Sequence, residues 1–221
     1  MDIINLFIES WPNLWDGLVI TLESTLVSLC FAAVLGLIFG LMSVSHSKIL
    51  NWIARIYVDI IRGTPLIVQA FFIYFGITSA LSLRMTALTA GIITLSLNAG
   101  AYSAELFRAG IQAVPRGQME AARSLGMPYG MAMRKVILPQ AVRTMIPALV
   151  NQCIITLKDS SILSVIGMAE LTMAGKLIIA RNLRSFEMWL IVGVIYFIII
   201  TILSKISKYI EGRLQYGKGR A

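Results

Sequence analysis

Residues 17–44 read GLVITLESTLVSLCFAAVLGLIFGLMSV, with Glu23 as the only charged side chain in the run. Coiled at about 1.5 Å per residue, such a stretch exceeds the roughly 30 Å of a bilayer's hydrocarbon core. Four more runs share this character. Residues 64–83 carry no charge, and their helix is expected to begin earlier, near Trp52 to Ile56. Residues 85–104 carry none, 137–157 carry only Arg143 near the start, and 188–204 carry none. The expectation is an all-α integral membrane protein of about five transmembrane helices. The intervening residues 158–185 are too polar for a full span. A short or re-entrant helix at 162–171 is expected there, within a possible gate segment at about 160–175, which is tolerated at membrane depth only where protein or water surrounds it.

Composition agrees with this reading. The 221 residues are 57% hydrophobic and 14% charged, with mean hydropathy +0.81, too few polar groups to cover a soluble core. A soluble enzyme is excluded. The net charge of +8 suits loops and acidic lipid headgroups in so apolar a chain, so membrane lipid is the expected contact and nucleic acid is not. Cys30 and Cys153 sit inside apolar runs and read as small packing groups. With one histidine, His46, and no Ser/His/Asp set or ligand cluster, no catalytic or metal site is expected.

Charge also orients the chain. The start carries Asp2, Glu9 and Asp16 with no basic flank, which is unlike a secretory signal, so it is expected to stay on the mature chain. The far end carries Lys205, Lys208, Arg213, Lys218 and Arg220. The loop after the third run holds Arg108, Arg116, Arg123, Arg134 and Lys135, whereas the one after the second holds only Arg84. The positive-inside rule therefore puts the C-terminus in the cytoplasm and the N-terminus outside. Lys158, Lys176, Arg181 and Arg184 run against the rule, which marks 158–185 as a place to look for function.

The loop at about 109–136 is organised. Pro115 stops one helix, and 116–125 reads as a short amphipathic helix centred on Glu120, Ala121 and Ala122. Gly126, with Pro128 two residues beyond, stops it. Periodicity alone would allow an ordinary surface helix. The spacing says more: Glu120-Ala121-Ala122, three residues, Gly126, nine residues, Val136, one residue, Leu138-Pro139 resembles the signature loop of membrane subunits of ATP-binding-cassette importers, Val136 standing where that family usually has Ile. Arg62-Gly63-Thr64-Pro65-Leu66 with Gln69, Ala101-Tyr102, Ala104-Glu105, Arg108, Gly117-Gln118 and Lys158-Asp159-Ser160-Ser161 narrow the resemblance to polar amino acid permeases, over residues 17–209.

That resemblance implies the type I ABC importer permease fold, a single transmembrane domain over 1–221 in the cytoplasmic membrane of a prokaryote. It further implies a cytoplasmic coupling helix, with Glu120, Ala121, Ala122 and Gly126 at the surface that docks on an ABC ATPase. A second permease subunit, identical or a close homologue, an ATPase dimer and an extracytoplasmic amino-acid-binding protein complete the assembly. The chain has no Gly-x-x-x-x-Gly-Lys-[Ser/Thr] motif. It is thus expected to bind no cofactor itself and to be no enzyme; ATP and Mg belong to the partner ATPase. The competing reading is a channel or ion-coupled secondary transporter.

Candidate substrate residues are the polar groups of the apolar layer, which are costly there. Asn98, Tyr102 and Glu105 form one stripe, readable as substrate contact or as helix-to-helix bonding, with Asn98 the preferred contact. Lys158, Asp159, Ser160 and Ser161 offer a cation and an anion to a free amino acid, or else a neighbour pair and a helix cap. Glu23 either faces a wet cavity, where it would attract a basic cargo such as arginine, lysine or histidine, or pairs with Arg143, Lys158 or another basic group. Arg62 reads as a snorkelling residue at a bend or as a gate.

Overall fold

The computed structural model describes residues 2–216, with side chains to residue 212, and all regular structure among them is helical. Lys218, Arg220 and the Arg213 side chain lie outside the described residues. Helix α1 (Ile3–Ser43) is 41 residues long, about 61 Å. It begins far earlier than the apolar run. Phe7, Trp11 and Trp15 follow one another at four-residue spacing, their rings tilted with centroids 5.2 and 5.7 Å apart, while Leu6 and Leu14 are buried in the core.

Helix α2 (Lys48–Arg62) is capped by the Ser47 hydroxyl, which accepts from the Leu50 N–H. Helix α3 (Leu66–Leu81) follows at an angle of 102°. The bend falls at Gly63 and Pro65, as expected; the segment around Trp52 to Ile56, however, does not continue into the second apolar run as one helix but belongs to a separate helix set off by the bend. Pro65 has no N–H to continue the ladder and disfavours helix at the residue before it. Helices α4 (Ala87–Gln112), α5 (Arg116–Ser124), α6 (Tyr129–Ile166), α7 (Leu171–Asn182) and α8 (Ser185–Tyr216) complete the chain. Within α6, a π-helical turn at Met133–Ile137 leads in and a 3-10 turn at Ser160–Ile166 leads out.

By length and composition α1, α6 and α8 can cross a bilayer, and the bent α2–α3 pair makes a fourth candidate. Helix α4, one of the five expected spans, is long enough at 26 residues but diluted by Thr94, Ser96, Asn98 and Ser103. All four are buried, because α4 is enclosed by its neighbours. It packs tightly on α1 through small residues. The Ser28 hydroxyl donates to the Ile92 carbonyl, and β-carbons on Gly36 and Gly40 would stand 2.5 Å from the β-carbons of Ser103 and Phe107. These contacts advance together along both chains, so α1 and α4 run parallel.

The short helix expected at 162–171 lies later. Ser160–Ile166 continues α6, Gly167 turns the chain at φ +82°, and the short helix is α7. Its 12 residues reach about 18 Å, too short to cross. Leu171, Ala174 and Ile178 seat it against Leu14, Leu18, Met188, Ile191 and Val192.

Candidate functional site

The loop helix α5 forms as the sequence dictates. Gly126 adopts φ +80°, the Gly126 N–H donates to Arg123 and the Met127 N–H reaches back to the Ala122 carbonyl, so a left-handed glycine closes the helix. Glu120, Ala121 and Gly126 are exposed, and a β-carbon on Gly126 would meet nothing within 4 Å. Ala122 differs: at 4% exposure it is turned into its own subunit, where α5 meets the lead-in to α6. Its small size serves internal packing, and the outward surface is built from Glu120, Ala121, Leu125 and Gly126. Arg123 donates to the Met127 carbonyl instead of pairing with Glu120.

The stripe on α4 faces the bend between α2 and α3. Asn98 is buried and donates to the side-chain oxygen of Gln69 at 3.3 Å. Glu105 lies between two guanidinium groups, Arg62 at 3.2 Å and Arg108 at 2.9 Å, and the Arg62 guanidinium sits 5.2 Å above the Tyr102 ring. Tyr57 adds a bond from its hydroxyl to the Leu97 carbonyl. Asn98 is thus joined to α3 by a hydrogen bond and Glu105 to α2 by an ion pair, Tyr102 meets α2 only through its ring, and Arg62 is held by protein.

At the far end of α6, Lys158 is exposed, Asp159 half-buried and Ser160 buried. The Ser160 and Ser161 hydroxyls each donate to a carbonyl three residues back, at 2.7 Å; Ser160 is wholly buried, and Ser161 is the partly exposed one of the two. Glu23 is exposed on α1 among Leu22, Leu26 and Val27. No ion pair joins it to Arg143 or Lys158; the pairs among the described residues involve Arg62, Arg108 and Arg184 with Glu105 and Glu187.

The comparison that decides the family covers most of this architecture: residues 32–216 match the family described as the binding-protein-dependent transport system inner membrane component. The chain belongs to this family. The arginine transport system permease protein ArtQ of Bacillus subtilis is 38% identical over 204 residues, 92% of this chain and 93% of the relative. The glutamine transport system permease protein GlnP of Escherichia coli K12 is 41% identical over 205 residues, 92% and 94%. Among solved structures, an amino acid ABC transporter crystallised with histidines superposes with TM-score 0.90 at 42% identity, over 96% of this chain and 99% of the other. The inward-facing MetNI methionine ABC transporter gives 0.79 at 23%, over 91% and 96%, a likeness of fold. This is a multi-pass inner-membrane permease subunit of an amino acid ABC importer, with the type I fold, and it is not itself an enzyme. Its family implies an ATPase and a substrate-binding protein as partners.

One polar site of this permease escaped the sequence reading. Glu170, between α6 and α7, is wholly buried. Its carboxylate accepts from the N–H groups of Thr172 and Met173, both at 2.8 Å, and from the Tyr196 hydroxyl at 2.9 Å. Burial pushes the carboxyl above its usual range, against these donors, which lower it. It caps α7 and ties it to α8. The signal was weak because glutamate is an uncommon N-cap.

Proposed function

We propose that this permease, paired with an identical or closely homologous second subunit, forms the pathway for polar amino acids, with basic ones such as arginine, lysine or histidine as the cargo. ATP and Mg on a separate ATPase dimer drive it through α5, with Glu120, Ala121 and Gly126 on the docking surface and Ala122 supporting it from within. The N-terminus lies outside and the C-terminus in the cytoplasm. In the pathway Asp159 faces the α-ammonium with the Ser160 and Ser161 oxygens, Lys158 faces the α-carboxylate, and Asn98 borders the site from α4.

The observation that carries the cargo is Glu23, a carboxylate on an apolar helix face without an ion-pair partner among the described residues. A charge so placed is costly against lipid and belongs against water or a second subunit. One charged hydrogen bond to a cationic side chain contributes about 1.5 to 3 kcal/mol, or roughly tenfold to a hundredfold in affinity. The relative named for glutamine supports a second reading, a neutral amide cargo. Uptake by vesicles holding the complex, at saturating binding protein, separates them. Glu23→Gln should weaken arginine uptake far more than glutamine uptake; equal losses would remove the case for a basic cargo.

A further inference from the structure

Helix α2 has three faces. Ala54 and Val58 are buried against the bundle. Lys48, Asn51, Arg55, Asp59 and Arg62 recur at three- and four-residue steps along a second face. Asn51, Arg55, Asp59 and Arg62 line a cleft of about 380 Å³ that Glu105 and Arg108 close from α4. Along the third face run Ile49, Trp52, Ile53, Ile56 and Ile60, and the chain covers them little: Ile49 is 70% exposed, Trp52 64% and Ile60 58%.

The 102° bend fixes what this apolar face can meet. If α3 stands across the membrane, α2 lies close to the membrane plane. A helix in that position with one apolar stripe, one charged stripe and a tryptophan on the apolar side has the pattern of an interfacial helix. Tryptophan favours the headgroup level, and Lys48 and Arg55 bring positive charge to anionic lipid.

We propose that α2 is a membrane-surface helix on the α5 side of the bundle. Its stripe Ile49–Trp52–Ile53–Ile56–Ile60 is sunk into the lipid acyl boundary, and its charged stripe is turned to water. Lipid thus holds the outer face of α2, whose other faces are tied to α4 by Arg62–Glu105 and Tyr57–Leu97, while Gln69 and Asn98 tie α3 to α4.

The test uses the permease–ATPase complex in vesicles of phosphatidylethanolamine and phosphatidylglycerol, in a Cys30→Ser, Cys153→Ser background. Spin labels are placed singly through Ile56→Cys, Ile60→Cys and Arg55→Cys. Collisions with oxygen should exceed those with a water-soluble nickel chelate at 56 and 60, at a depth of about 5–10 Å, and the ratio should reverse at 55. Shielding of 56 and 60 from both reagents would mean that a second subunit covers the face, and nickel access would mean water; either overturns the proposal. Should labelled variants fail to assemble, Trp52 fluorescence decides in a Trp11→Phe, Trp15→Phe, Trp189→Phe background. Quenching by brominated lipid is expected, and its absence contradicts the assignment.

Discussion

Asn98 holds Gln69 across the α3–α4 contact, Nδ2 to Oε1 at 3.3 Å, and Gln69 holds the bend by donating through Nε2 to the carbonyls of Ile61 and Thr64 at 2.6 and 3.0 Å. Two carbonyls freed by the break of the helix ladder thus find a partner from one turn beyond it. Gln69→Ala strips both carbonyls and Asn98 of partners, whereas Asn98→Ala leaves the bend satisfied. An unsatisfied buried group costs about 1–3 kcal/mol, which applies in full to the buried Asn98 and less to the part-buried Ile61 carbonyl and the carbonyl of the exposed Thr64. The thermal midpoint of the purified permease should fall further for Gln69→Ala, and equal or reversed losses would refute this hierarchy.

The two alanines of the loop helix should separate folding from docking. Ala122→Asp buries a charge inside the subunit and should lower the yield of folded permease. Ala121→Asp changes an exposed surface, so the permease should fold and lose ATPase co-purification. Gly126→Val forces a β-branched residue to φ +80° at a cost of about 1–2 kcal/mol or more, with no clash. Its effect too should appear in docking, read by pull-down of the ATPase. Normal pull-down and transport by both Ala121→Asp and Gly126→Val would remove α5 from the coupling route.

Close approach of α1 and α4 depends on glycine. Gly36→Val drives side-chain atoms into Ser103, so the two helices must part, and the variant should be lost from the folded fraction in detergent chromatography. Gly193→Val on α8 meets nothing within 4 Å and should elute like the parent.

Around Glu170, shape and charge can be distinguished. Glu170→Ala leaves two N–H groups and the Tyr196 hydroxyl without their acceptor, while Glu170→Gln retains one carbonyl oxygen and the volume. Protease resistance of the α7 region should fall steeply for alanine and mildly for glutamine or Tyr196→Phe. No difference between the alanine and glutamine variants would mean that the cap contributes nothing.

What could be read from the sequence was whatever a single residue type decides locally. The breaks at Gly63–Pro65, Pro115 and Gly126 fall where glycine and proline demand them, and the apolar runs became the long helices. The early start of α1 was hidden by Asp2, Glu9 and Asp16, although Phe7, Trp11 and Trp15 at helical spacing signalled it. The short helix was displaced because Gly167 turns the chain inside the stretch where a helix was expected. Orientation lay beyond a one-dimensional reading: Ala122 faces inward, Asn98 finds Gln69 on another helix, and the acid of Glu170 is matched by a tyrosine 26 residues away. Such pairings depend on packing between elements and leave no local pattern.

The measurement closest to the central claim is uptake of radiolabelled arginine or glutamine by vesicles containing the permease, its ATPase and the binding protein. Accumulation should require ATP and Mg on the ATPase side, persist when proton and sodium gradients are collapsed, and disappear when the ATPase is omitted. Accumulation driven by an ion gradient with no ATPase present would contradict the account and make the chain a secondary transporter.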